Sequence, residues 1–175
     1  MLLPAKSKSN HRLAPSTFGG ALPCLERETK TERGNTMAYM NQQIKKDLTP
    51  NIKLVLKKYN MNGSISVKNH STIVVNLKSG PIDIISDANR LRKEYSERHD
   101  RPFYEIDTGY FQVNPFHIDK NHSGQAAKFL SELVNAMKGA DYFCEDEIET
   151  DYFHRSHFTD INVGGGWKNP YQLAA

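Results

Sequence analysis

The strongest constraint on this chain lies in residues 63–77, where Ile65 and Val67, then Ile73, Val75 and Leu77, alternate on either side of Asn69-His70-Ser71. Successive strand side chains point to opposite faces. The spacing therefore predicts a β-hairpin with those five side chains on one face and Ser64, Ser66, Lys68, Thr72 and Asn76 on the other. Val74 interrupts the polar side, which marks the second strand as the more buried.

At 175 residues the chain suits one domain with a core of its own, plus a tail. No apolar run approaches the ~20 residues that a membrane-spanning helix needs, so no membrane partner is expected. Cys24 and Cys144 can build neither a disulfide framework nor a thiolate zinc site, and they fit a reducing cytoplasm. The formal charge of +3 is unevenly placed. Residues 1–36 hold six basic and three acidic side chains, which leaves 17 of the 23 basic and 17 of the 20 acidic residues to a neutral remainder.

Residues 1–36 show no helix or strand period and carry Pro4, Pro15, Pro23 and Gly19-Gly20 among Ser, Thr and Lys. Such a composition cannot bury enough apolar surface to offset its ordering entropy. A disordered tail or upstream extension is expected there, with Met37 as a second start. The domain then runs over residues 37–171, and 172–175 form a loose C-terminus.

Between residues 41 and 59, Ile44, Leu48, Ile52, Val55, Leu56 and Tyr59 make one helical stripe. Pro50 lacks an N–H and restricts Thr49, which predicts a short helix ending near Asp47, or a kink, and a second helix over residues 49–59, capped by Thr49. Residues 82–85 read as a short third strand, and Ser86 as the cap of a helix over 87–98. That helix has a narrow apolar stripe, Ala88, Leu91 and Tyr95, and i,i+4 pairs Arg90–Glu94, Lys93–Glu97 and Glu94–Arg98. Strands are expected at 103–106 and 109–113. Ser123 caps the strongest helix, Gly124–Lys138, with Ala126, Ala127, Leu130, Leu133, Val134 and Met137 buried and Gly139 ending it. Residues 150–163 read as one or two strands, with Ile161 and Val163 on one face and Asp160 and Asn162 on the other. The fold class is α+β: a single, mainly antiparallel sheet with two main helices packed on one face.

No set of residues commits the chain to a reaction or a cofactor. His117, Asp119 and His122 form the candidate metal set, because the first two can share a strand face while His122 reaches back from a helix mouth. Zinc or manganese there would make a metal-dependent enzyme; the plainer alternative is surface imidazoles near acids. His154 and His157 lie three apart and point to opposite faces of a strand. Glu147, Glu149, Asp151 and Asp160 are more simply a solvated acidic face than a general acid and base. Cys144 precedes Glu145-Asp146-Glu147, which opposes thiolate formation. Gly164-Gly165-Gly166 lacks the Lys-Ser/Thr of a phosphate loop and suits a turn. Lys45, Lys46, Lys53, Lys57 and Lys58 are candidates for a nucleic-acid backbone, set against the usual fate of helix lysines as solvated charges.

Several stretches carry a family likeness: Pro50 with residues 52–59, Gly63-Ser64-Ile65-Ser66-Val67, His70, residues 72–77 and 110–114, and Phe129-Leu130. Asp151-Tyr152-Phe153-His154 and Asp160-Ile161-Asn162-Val163-Gly164 complete it. On these the chain from Met37 to Tyr171 resembles a large polyvalent protein-associated domain of phages and conjugative elements. The resemblance implies a small α+β domain of mobile-element origin in the bacterial host cytoplasm, and it transfers no catalytic residue. The expected function is a non-enzymatic accessory or binding protein with a protein partner; the alternative is a nucleic-acid-binding domain using the lysine face.

Overall fold

Asn62–Lys68 (β1) and Thr72–Gly80 (β2) form the expected antiparallel hairpin in the computed structural model, which describes residues 38–146, 154–166 and 168–174. Ile65 faces Val75 and Val67 faces Ile73 across the ladder. Asn69 and His70 both take left-handed φ, 54° and 51°, and the Ser71 N–H closes the turn onto the Lys68 carbonyl at 3.3 Å. β2 is the more buried strand: Ile73, Val74, Val75 and Leu77 are all inside.

Three further strands complete one sheet: Phe111–Val113 (β3), Phe158–Val163 (β4) and the two-residue Gln172–Leu173 (β5). The order is β1-β2-β4-β3, with β5 pairing the end of β2. β1–β2 and β3–β4 are antiparallel, but β2–β4 and β2–β5 are parallel, so the sheet is mixed rather than mainly antiparallel. A parallel pair needs a long crossover, and residues 81–157 supply it. Residues 172–173, expected to be loose, are held by β5 and by Tyr171, whose hydroxyl donates to the Ile82 carbonyl at 2.9 Å. Burial pushes that phenol up to about 12.

One helix, Gln42–Lys58 (α1), runs through Pro50, where the expectation was a helix end near Asp47 or a kink. Asn41 accepts the Ile44 N–H as cap, and Thr49 donates its hydroxyl to the Lys45 carbonyl at 2.6 Å. Ile52 and Leu56 are held in the core, and that burial outweighs the missing proline N–H. Gly124–Lys138 (α4) has the expected bounds, and Gly139 ends it at φ 72°. Its buried stripe is Ala126, Phe129, Leu130, Leu133, Val134 and Met137; Phe129 was missing from the expectation and Ala127 is only half-buried. α1 packs on α4 and on β1, and α4 reaches β4. Ile73, Val75, Leu77, Ile161 and Val163 enter the same core from the sheet, with Asp160 and Asn162 outward as predicted. Tyr59 and Lys58 tie the two helices together through Glu132, at 2.9 and 2.7 Å.

The expected strand at 82–85 is instead the start of a helix, Ile84–Arg98 (α2). Asp83 accepts the Ser86 N–H at 3.0 Å and moves the cap three residues earlier than Ser86. A short helix, Ile118–Asn121 (α3), precedes α4. Residues 1–37 and 147–153 lie outside the described residues, and with them the tail, Cys24, Glu147, Glu149 and Asp151. Among the described residues, no helix is long and apolar enough to cross a membrane.

Candidate functional site

The α2 stripe read as a core edge leaves the core halfway along. Ala88 is buried, Leu91 is half-buried, and Tyr95 is 52% exposed. Beyond the helix, Asp100 takes a left-handed φ of 48° and the chain doubles back along α2. One side chain and one backbone hydrogen bond hold it there. The Asn89 amide accepts the Ile106 N–H at 2.9 Å and donates to the Ile106 carbonyl at 3.2 Å, and the Arg101 N–H bonds the Ser96 carbonyl at 2.9 Å. The expected strand at 103–106 does not form, because Asn89 takes the Ile106 backbone groups that a neighbouring strand would have used.

Asp87 ties α2 to the junction between α3 and α4. Its carboxylate accepts the Ser123 N–H at 2.8 Å, the Ser123 hydroxyl at 2.6 Å and the Arg90 guanidinium at 2.9 Å. Burial alone would raise this carboxyl, but the Ser123 and Arg90 donors outweigh it and hold it below its ordinary value. Ser123 thus occupies the N-cap position of α4 while its side chain serves Asp87.

Between the α2 C-terminal half, residues 101–104 and α3 lies a half-open groove of about 660 Å³. Its cations are Arg92, Arg98, Arg101 and Lys120, and His117 stands at its wall. Its aromatic rings are Tyr95, Phe103 and Tyr104, the last 76% exposed, and no carboxylate lines it. Of the three expected α2 pairs only Arg90–Glu94 forms, at 2.6 Å, so Glu94 is withdrawn from Arg98. Among the described residues none of the four groove cations has an ion pair, though Arg92 lies 5.9 Å from the Phe111 ring. Cations without ion pairs beside exposed rings have the chemistry to hold an anion and to stack a planar group.

The expected metal set separates. His117 and Asp119 are exposed, while His122 is 3% exposed, packed on the Phe111 ring, with Nδ1 3.6 Å from Asp87. Among the described residues no three His, Cys, Asp or Glu side chains gather as ligands. His154 pairs with Glu145 at 2.9 Å, and His157 donates from Nε2 to the Met137 carbonyl at 3.0 Å. Cys144 is an exposed thiol and Asp160 accepts from Gln112. Gly164 and Gly165 commit their N–H groups to the Leu77 and Asn169 carbonyls, and a Cβ at Gly164 would stand 2.7 Å from the Gly109 carbonyl oxygen. Those two N–H groups are committed and do not face a phosphate.

The five lysines divide as well. Lys45, Lys46 and Lys53 share a shallow depression of about 670 Å³ around Thr49 and Pro50, and Lys57 is exposed near the helix end. Lys58 is drawn to Glu132, a hydrogen bond that raises its pKa.

Burial pushes His122 and His157 below their ordinary 6.5, and for His122 this exceeds the opposing pull of Asp87. The unfolded chain therefore binds protons that the native form refuses. Stability is fully present above about pH 6.5 and falls as pH drops below it, toward the depressed native values. The unfolding midpoint should decline between about pH 7 and 5, and His157→Gln should flatten part of that slope; a midpoint unchanged over this window would contradict the burial of both rings.

Set against known proteins, the chain matches no family model, no curated protein and no solved structure.

Proposed function

We propose that the chain is a small non-enzymatic binding protein of phage or mobile-element type, working in a bacterial cytoplasm, and that its groove captures an anionic partner. α1 and α4, covering one face of the sheet, serve as its rigid support. One observation carries the proposal: four cations without ion pairs among the described residues converge with three rings on one groove that no carboxylate lines. Arg90, on the same helix, is by contrast paired with Asp87 and Glu94. The kinship with phage proteins is supported by the sequence likeness alone.

A second site has its own support, since Lys45, Lys46 and Lys53 meet on one α1 depression. Immobilised heparin, a polyanion without bases, separates the two. The full chain should be retained, and the double variant Arg98→Ala/Arg101→Ala should elute at clearly lower salt while Lys46→Ala/Lys53→Ala elutes unchanged. The reverse pattern would transfer the function to α1, and weak retention of the unaltered chain would end the anion reading.

A further inference from the structure

The groove repeats charge and ring in a fixed order. Along α2, Arg92, Tyr95 and Arg98 follow at three-residue steps, each one turn apart with roughly 4.5 Å of axial rise. On the returning chain Arg101 is followed by Phe103 and Tyr104. Neither Glu94 nor Glu97 lines the groove. A ligand presenting only phosphates or sulfates has no use for three exposed rings, and a duplex hides its base faces. A flexible strand with alternating phosphates and π-faces meets both halves of the pattern.

Building on the groove as an anion site, we infer that its ligand is single-stranded nucleic acid, with bases stacked on Tyr95, Phe103 and Tyr104 and phosphates held by Arg98 and Arg101. Tyr95 already has a ring partner in His99, at a centroid distance of 4.3 Å, which stiffens the platform that a base would cover. Specificity for base identity is not built in, because every base has a π-face and the groove walls offer mainly cations. Binding should weaken steeply with salt, each arginine contact adding about 0.7 to the slope of log affinity against log salt.

The test is fluorescence anisotropy of the full chain with a labelled oligothymidylate of about 12 nucleotides, a duplex of the same length, and anionic phosphatidylserine vesicles as a third arm. The single strand should bind at least about tenfold more tightly than the duplex. Tyr104→Ala and Tyr95→Ala, both at exposed positions, should each weaken it by about five- to 150-fold, while Tyr104→Phe keeps the ring and the affinity. Unfolding midpoints of the tyrosine variants should stay at that of the unaltered chain. Equal binding of strand and duplex, or an unaffected Tyr104→Ala, overturns the inference. So does Tyr104-dependent binding to vesicles without binding to the strand. If heparin retention still depends on Arg98 and Arg101 in those cases, the anion site stands and only its ligand is wrong; if it does not, both fail.

Discussion

Replacing Phe129 by alanine should remove about 3–5 kcal/mol of stability, the largest loss expected from any single truncation in this domain. Phe129 is fully buried on α4, and its ring meets Tyr59 edge-on with centroids 5.2 Å apart. Its removal opens a void where α1, α4 and the sheet share one core, and it also loosens the Tyr59 hydroxyl that bonds Glu132 at 2.9 Å. A domain of this size holds only about 5–15 kcal/mol in total, so the urea midpoint should fall steeply at unchanged m. Leu54→Ala is the control, since Leu54 is 65% exposed and should shift stability by no more than about 0.5 kcal/mol. A Phe129→Ala loss below about 1 kcal/mol would mean that α4 does not seat as described.

Asp87→Ala should cost about 2–4 kcal/mol, because its charge-assisted bonds to Ser123 and Arg90 vanish together and the Ser123 N–H is left at a partly buried helix entrance. The same carboxylate ties α2 to the junction that follows α3, so heparin retention through the groove should fall in Asp87→Ala at temperatures where the variant is still folded. Asp87→Asn keeps one acceptor oxygen and should lose less. Asp119→Ala, exposed on α3, should be near neutral. The acid dependence has a definite sign. The native Asp87 pKa is lowered from 3.8, so its contribution is present above about pH 4 and is lost as pH falls through the lower native value. Wild-type stability should therefore show a further drop below pH 4 that Asp87→Ala lacks; identical acid limbs would show that Asp87 is not the clamp.

The groove shows how far sequence can carry a site. Its residues were all visible, and Arg98-His99-Asp100-Arg101-Pro102-Phe103-Tyr104 even places cations beside aromatics in one short run. What hid the groove was the choice of partner: Glu94 can bond Arg90 or Arg98 at equal spacing, and only the folded chain shows that it takes Arg90. Tyr95 on a helical stripe reads as core unless the opposing element is known to stand off from it. The metal set failed for the related reason that three nearby residues need not point at one place: His122 is drawn into the interior beside Phe111 and Asp87 while His117 stays in water.

By itself the sequence determined what depends on local period and caps: the hairpin with its two faces, the α4 helix from Gly124 to Lys138, and the inward and outward faces of β4. These follow from side-chain direction along a strand or helix, a property of neighbours in the chain. Tertiary structure alone decided that α1 continues through Pro50, that β2 and β4 run parallel, and that residues 101–106 fold back on α2 to open a groove. Each of those outcomes is a competition between distant groups for burial or for a hydrogen-bond partner, and local propensity holds too little energy to settle it.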